Sequence, residues 1–227
     1  MHKVTLNIND IKSLPDSNDP KKKEYIATVS VLELAKADIP MDSNPRKQDQ
    51  KSRVFKDIKE SILSFDNIFR YKNIGITIFC NSVVFDNDRT KPIELTFNLD
   101  RKELKHGNIN GGHTLLACKE AVNEVETAIE NGERDSSDLE KIANQTVKVS
   151  LVTGLSDLDE IIDIADANNN HAGVTTESFI EMAGGFNNFK TKLKNSTWHE
   201  RVQYKMNDKY EEDGVLKDYP IDVKELL

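Results

Sequence analysis

The sequence predicts an α/β (α+β) domain in which a mixed sheet is flanked by helices. Three observations lead there. Residues 93–99 and 146–151 alternate strictly between apolar and polar side chains, the period of half-buried strands. Leu115, Cys118, Val122, Val125 and Ile129 recur at helical spacing over residues 114–131. The elements run strand, helix, strands, helix, strand, helix, helix, which lacks the regular alternation of a doubly wound sheet.

Taken in order, Val4, Leu6 and Ile8 alternate as an edge strand. Residues 25–32 form a second strand, with Tyr25, Ala27, Val29 and Val31 on one face. Residues 40–45 are a loop. Residues 51–65 read as a helix whose stripe is Val54, Ile58, Ile62 and Phe65, ended by Asp66 and Asn67. Residues 74–79 are a strand that continues after a turn into 83–85, and Asp86, Asn87 and Asp88 turn the chain back toward strand 93–99. Asn131 and Gly132 stop the long helix, and residues 132–145 hold one short helix. Ser156 and Asp159 have the spacing of a capping box, so a helix with Leu158, Ile161, Ile162 and Ala165 on its core face starts there. A further helix ends at Met182 before Gly184 and Gly185. Residues 218–227 read as the start of a helix cut short. Three regions follow: strands and linker over 1–43, a core over 44–185, and a basic, aromatic extension over 186–227.

Composition narrows the class. The chain has 227 residues, 37% of them hydrophobic and 31% charged, with a net charge of −8. No apolar run nears the roughly 20 residues that span a bilayer, and no signal-peptide pattern opens the chain. The expectation is a cytoplasmic protein with no membrane partner. Cys80 and Cys118 sit in apolar patterns and read as buried thiols, with a bridge between them left open. The negative balance argues against a nucleic-acid-binding surface over the whole protein. Residues 44–60 nevertheless carry six Lys or Arg against three acids.

The segment His106-Gly107-Asn108-Ile109-Asn110-Gly111-Gly112-His113-Thr114 joins a strand to the long helix. The first turn of a helix has unpaired N–H groups and the positive end of the dipole. Glycines there let an anion approach the backbone. Asn110, His113 and Thr114 add side-chain donors and acceptors. The same pattern also fits a plain turn followed by a Thr N-cap.

Four motifs in order carry a family resemblance: Asn44-Pro45-Arg46, Lys72-Asn73-Ile74-Gly75-Ile76-Thr77, Ile109-Asn110-Gly111-Gly112-His113-Thr114, and Asn168-Asn169-Asn170-His171. Over about residues 44–180 the chain resembles the abortive-infection phage-resistance (AIPR) family. Ile74, His113 and Asn170 depart from the family's Asn, Gln and Gln. Similar turns, reading Asp-Gly-Gln-His-Arg, occur in regulators of DNA phosphorothioation, distant relatives of the ParB-like fold. The resemblance implies a ParB-like core and a role in defence against phage or in regulating DNA. Family members are generally longer, so the chain is expected to be an N-terminal portion of such a protein.

With that topology, Asn44, Arg46, Asn73, Gly75, Asn110, Gly111, Gly112, His113, Thr114, Asn168 and Asn170 are expected to line one polar cleft for a nucleotide, DNA or RNA. Asparagine amides suit a base edge or ribose, and Arg46 suits a phosphate. A second reading is a nucleotide hydrolase or nuclease using a nucleotide with magnesium. There His113 would serve as general base, or as metal ligand with Asp166 or His171. The sequence has no P-loop and no clustered carboxylate site to support it. A third is an interaction module that meets a partner protein of a defence system. Its features are the acidic helix near 119–141 and Trp198 and Tyr204 among lysines, which could also stack on bases.

Overall fold

The computed structural model describes residues 1–41, 43–86, 92–99, 106–169, 176–182, 184–212 and 215–226. It is a mixed α+β protein, as the alternation and helical periods predict.

Two sheets share one main core. A three-stranded antiparallel sheet has the order β1 (His2–Leu6), β6 (Ile93–Phe97), β5 (Ser82–Val84). The five-stranded sheet has the order β2 (Asp10–Pro15), β3 (Lys23–Ser30), β8 (Thr146–Thr153), β4 (Ile76–Phe79), β7 (Gly107–Asn110). Its β8–β4 pair is parallel and the others are antiparallel, so the sheet is mixed. The residues expected to alternate do so. Val147, Val149 and Leu151 are fully buried, as are Ile93, Leu95 and Phe97. Leu99, expected to end the latter strand, is exposed.

Helices α1 (Val31–Lys36), α2 (Arg53–Leu63), α4 (Gly112–Glu130) and α5 (Ser137–Asn144) pack on one side with both sheets. Leu115, Cys118, Val122 and Val125 of α4 are buried there, at the predicted spacing. Gly132, with φ of 73°, takes the left-handed conformation just past the helix end. Helix α6 (Leu158–Asn169) covers the other face, where Ile161 and Ala165 meet Phe79 and Ile109.

Several expectations are corrected. Val31 starts α1 and does not continue the strand, because the Ser30 side chain accepts from the Glu33 N–H and caps a helix there. In and just past α2, Ile62 is fully buried and Ile58 and Phe65 pack against the same core, as the expected stripe requires, while Val54 is exposed and Phe55 is buried in its place. A short helix, α3 (Phe69–Lys72), precedes β4, and Ile74 lies outside that strand and in solvent. β5 joins the other sheet and does not extend β4. Asp157, not Ser156, caps α6, with its carboxylate accepting from the Asp159 N–H at 2.9 Å. The expected turn at 86–88 falls largely outside the described residues.

After α7 (Thr176–Met182) and α8 (Asn187–Leu193), the C-terminal part builds a small core of its own. Phe186, Val202 and Val223 are buried there, with Tyr204 and Ile221 against them. The strands β9 (Val202–Gln203) and β12 (Ile221–Asp222) pair in parallel, and β10 (Lys209–Glu212) pairs with β11 (Val215–Asp218). The expected terminal helix is instead β12 followed by a single 3₁₀ turn, Val223–Leu226. Tyr204 packs on Phe186 with Lys190 over its ring at 4.5 Å, so it is not an open stacking platform. Trp198 is exposed. Both cysteines are buried free thiols, and burial pushes each up to about 12. Among the described residues, no helix is long and apolar enough to cross a membrane.

Candidate ligand pocket

The antiparallel pairing of β4 and β7 brings the start of one strand beside the end of the other. Gly75 therefore lies against Gly111, and Asn73 lies against Thr114. Alternation along β7 sends Ile109 toward α6, leaving Asn108 and Asn110 on the opposite face. At the end of β7, Gly111 has φ of 78° and becomes the N-cap of α4, which starts at Gly112, two residues before the expected position. Thr114 is thus not the cap. It sits inside the first turn, buried.

A cavity of about 640 Å³ opens at this junction. Its lining includes Asn44, Arg46, Asn73, Gly75, Asn110, Gly111, Gly112, His113, Thr114 and Asn168. The tertiary structure thus brings together residues far apart in sequence. Asn170 and His171 lie outside the described residues. Asp166 does not line the cavity, and among the described residues no three His, Cys, Asp or Glu side chains group as a metal site. A second cavity, of about 620 Å³, contains none of the motif residues.

Hydrogen bonds divide the asparagines into scaffold and open donors. Asn44 and Asn108 are buried, and the Asn44 Nδ2 donates to Asn108 Oδ1 at 2.9 Å. Asn44 Oδ1 accepts from the Arg46 N–H at 3.0 Å, which turns the chain at Arg46. Asn73 Nδ2 donates to Thr114 Oγ1, and Asn73 Oδ1 accepts from the Gly75 N–H, tying the start of β4 to α4. Asn168 Nδ2 donates to the Ile164 carbonyl of its own helix. Asn110 is different. Its Oδ1 accepts from the Gly111 N–H, and its Nδ2 has no acceptor among the described residues.

Three further features make the pocket rich in donors. Gly111 offers no side chain to cap α4, and among the described residues nothing accepts from the amides of Gly112, His113 and Thr114. The Nε of Arg46 is buried without a hydrogen-bond partner. His113 Nε2 accepts from the Asp49 N–H at 3.1 Å, so the neutral ring carries its proton on Nδ1. Burial, then the positive charge of Arg46, holds this imidazole below its ordinary range, with Asp49 opposing.

Sequence reasoning missed Asn108, Gln48, Asp49, Ser52 and Asn207. Asn108 was legible as the alternate partner of Asn110 on one strand. Gln48, Asp49 and Ser52 follow Arg46 so closely that the motif itself pointed to them. Asn207 carried no local signal. It reaches the cavity because the C-terminal part docks on the Arg46 loop. Arg46 bridges Met206, the Lys47 N–H donates to the Met206 carbonyl at 3.3 Å, and Lys47 pairs with Asp208 at 2.9 Å.

The half-buried His113 gives a pH expectation. The unfolded chain takes up this proton first as the pH falls past the ordinary value of 6.5. The stability it contributes is complete above that pH and is lost as the pH falls toward the lower folded value. His113→Gln keeps an acceptor for Asp49 but cannot titrate. The urea midpoint should therefore fall less in H113Q than in the parent between about pH 7.5 and about pH 5. An equal fall would assign the effect elsewhere, for example to His106, which burial also lowers.

These elements define a class: a mixed α+β domain with a donor-lined pocket where a Gly-Gly turn enters α4. Residues 41–219 match the family model described as AIPR protein, and the chain belongs to that family, the abortive-infection phage-resistance proteins. The match extends past residues 44–180, over which the motifs carry the resemblance, and takes in most of the C-terminal part. No curated protein and no solved structure matches the chain.

Proposed function

We propose that the pocket binds a nucleotide, or the phosphate-bearing part of a DNA or RNA strand, as its contribution to phage resistance. One observation carries the reading. Arg46, whose Nε is buried without a partner, lines the same cavity as the uncapped first turn of α4. Leaving such donors unmet is costly, and a phosphate meets both kinds at once. Asn110 Nδ2 adds a neutral donor for a sugar or base edge.

His113 favours binding over hydrolysis. A general base needs a free lone pair, and the Nε2 lone pair is engaged by Asp49. Magnesium, in this reading, accompanies the nucleotide's phosphates. Kinship to ParB-like domains rests on the Gly-Gly turn and forms part of the same proposal, as does any partner protein of the defence system.

Thermal unfolding with nucleotides and short single- and double-stranded DNA and RNA, with and without magnesium, tests this. A ligand at about 100 times its dissociation constant should stabilise the fold by roughly 2.7 kcal/mol. Arg46→Ala should weaken binding by about 10- to 100-fold, the worth of a charge-assisted hydrogen bond. Gly112→Val should do the same by filling the pocket. A Cβ at Gly112 meets the end of Gln48, with Cδ at 2.8 Å, and Asn44 Nδ2 at 3.1 Å. These are side-chain atoms and not backbone, and Gln48 can shift by giving up its bond to the Arg46 carbonyl, so the variant should still fold. Absence of a shift with every probe would overturn the reading.

A further inference from the structure

We infer that Val54, Ile58 and Ile74 form the shelf on which the flat ring of a nucleotide lies, with its phosphate held by the donors of the same pocket. The inference rests on the phosphate reading above and adds which part of a ligand fills the rest of the cavity.

Ile74 is 84% exposed and Val54 is 59% exposed. A single exposed aliphatic side chain is ordinary. These two line the same cavity as Arg46 and Gly112, and half-buried Ile58 lines it with them. Val54 and Ile58 are four residues apart on α2, so they form one stripe. The stripe runs on into Ile62 in the core; Ile58 packs partly against that core, and Val54 stands outside it. Ile74 comes from the link between α3 and β4. Two separate elements thus contribute apolar surface to a cavity whose other walls donate hydrogen bonds.

The occupant must match both chemistries. Inorganic phosphate would satisfy the donors and leave the shelf in water. An apolar molecule would cover the shelf and leave Arg46 unmet. A nucleoside phosphate carries an anion and a flat, largely apolar ring on one small frame, and about 640 Å³ is within the range of small-ligand sites.

The test is calorimetric titration of the full chain with inorganic phosphate, ribose 5-phosphate and the four ribonucleoside monophosphates. Each is repeated on a Val54→Ser, Ile74→Asn double variant, whose exposed positions should leave the unfolding midpoint unchanged. At least one monophosphate should bind about tenfold or more tighter than ribose 5-phosphate, as burial of a ring against aliphatic carbon requires. The double variant should lose that increment and bind ribose 5-phosphate as the parent does. Equal binding of ribose 5-phosphate and all four monophosphates, or an unchanged increment in the double variant, would overturn the shelf while leaving the phosphate end standing. No binding of any probe to the parent would overturn the shelf, and the phosphate reading falls with it if the nucleotides, DNA and RNA of the thermal panel also give no shift.

Discussion

Replacing Gly111 with valine is expected to destabilise the protein by several kcal/mol, about 3–5, enough to leave little folded chain at ambient temperature. Two costs combine. Gly111 has φ of 78°, a conformation that a β-branched side chain adopts only under strain. A Cβ at this position would also run into the Gly75 carbonyl oxygen and meet the Ile76 Cγ2 at 2.8 Å and Cα at 2.9 Å. Those atoms lie at the entry to β4, an interior strand held between β8 and β7, and cannot step aside as the Gln48 side chain can for Gly112. The two adjacent glycines should therefore separate fold from function. Gly111→Val should lose the cooperative urea transition, and Gly112→Val should keep it while losing ligand. A Gly111→Val protein as stable as the parent would refute this account of the turn.

Asn108→Leu is expected to cost about 2–4 kcal/mol, although it adds apolar volume to a buried position. Asn108 is fully buried. Its Oδ1 accepts from Asn44 Nδ2, and its Nδ2 donates to the Asn110 carbonyl at 2.8 Å. Leucine would leave both groups without these partners, and Asn44 is itself buried. Asn44 also turns the chain at Arg46. The variant should thus lose binding along with stability, despite lining no part of the cavity. Urea unfolding monitored by circular dichroism measures the first effect. A loss below about 0.5 kcal/mol, the size of a neutral surface change, would show that the asparagine pair is incidental.

The pair also shows how much of the site could be read in the sequence. The motif order pointed to loops that meet at one cavity, which is lined by each of the expected cleft residues that the structure describes. Their division of labour was hidden. Asn44, Asn73 and Asn168 were expected to face a ligand, and each spends its Nδ2 on the protein itself. Among the described residues, Arg46 Nε and Asn110 Nδ2 have no acceptor. A residue type announces what hydrogen bonds it can make, but its partner is fixed by the packing of distant segments.

The sequence by itself determined the local structure wherever period and punctuation agreed. Strands β6 and β8, helix α4 with its stop at Gly132, and the buried thiols all follow from short-range patterns, because alternation and helical spacing are properties of consecutive residues. Only the tertiary structure decided the rest. It left Val54 in solvent and buried Phe55, and it placed β5 in the second sheet. It paired β4 in parallel with β8, and it carried residues 206–208 back to the Arg46 loop. Each of these depends on which surfaces meet across long stretches of chain. A strand moved between sheets keeps its local period and changes only its neighbours.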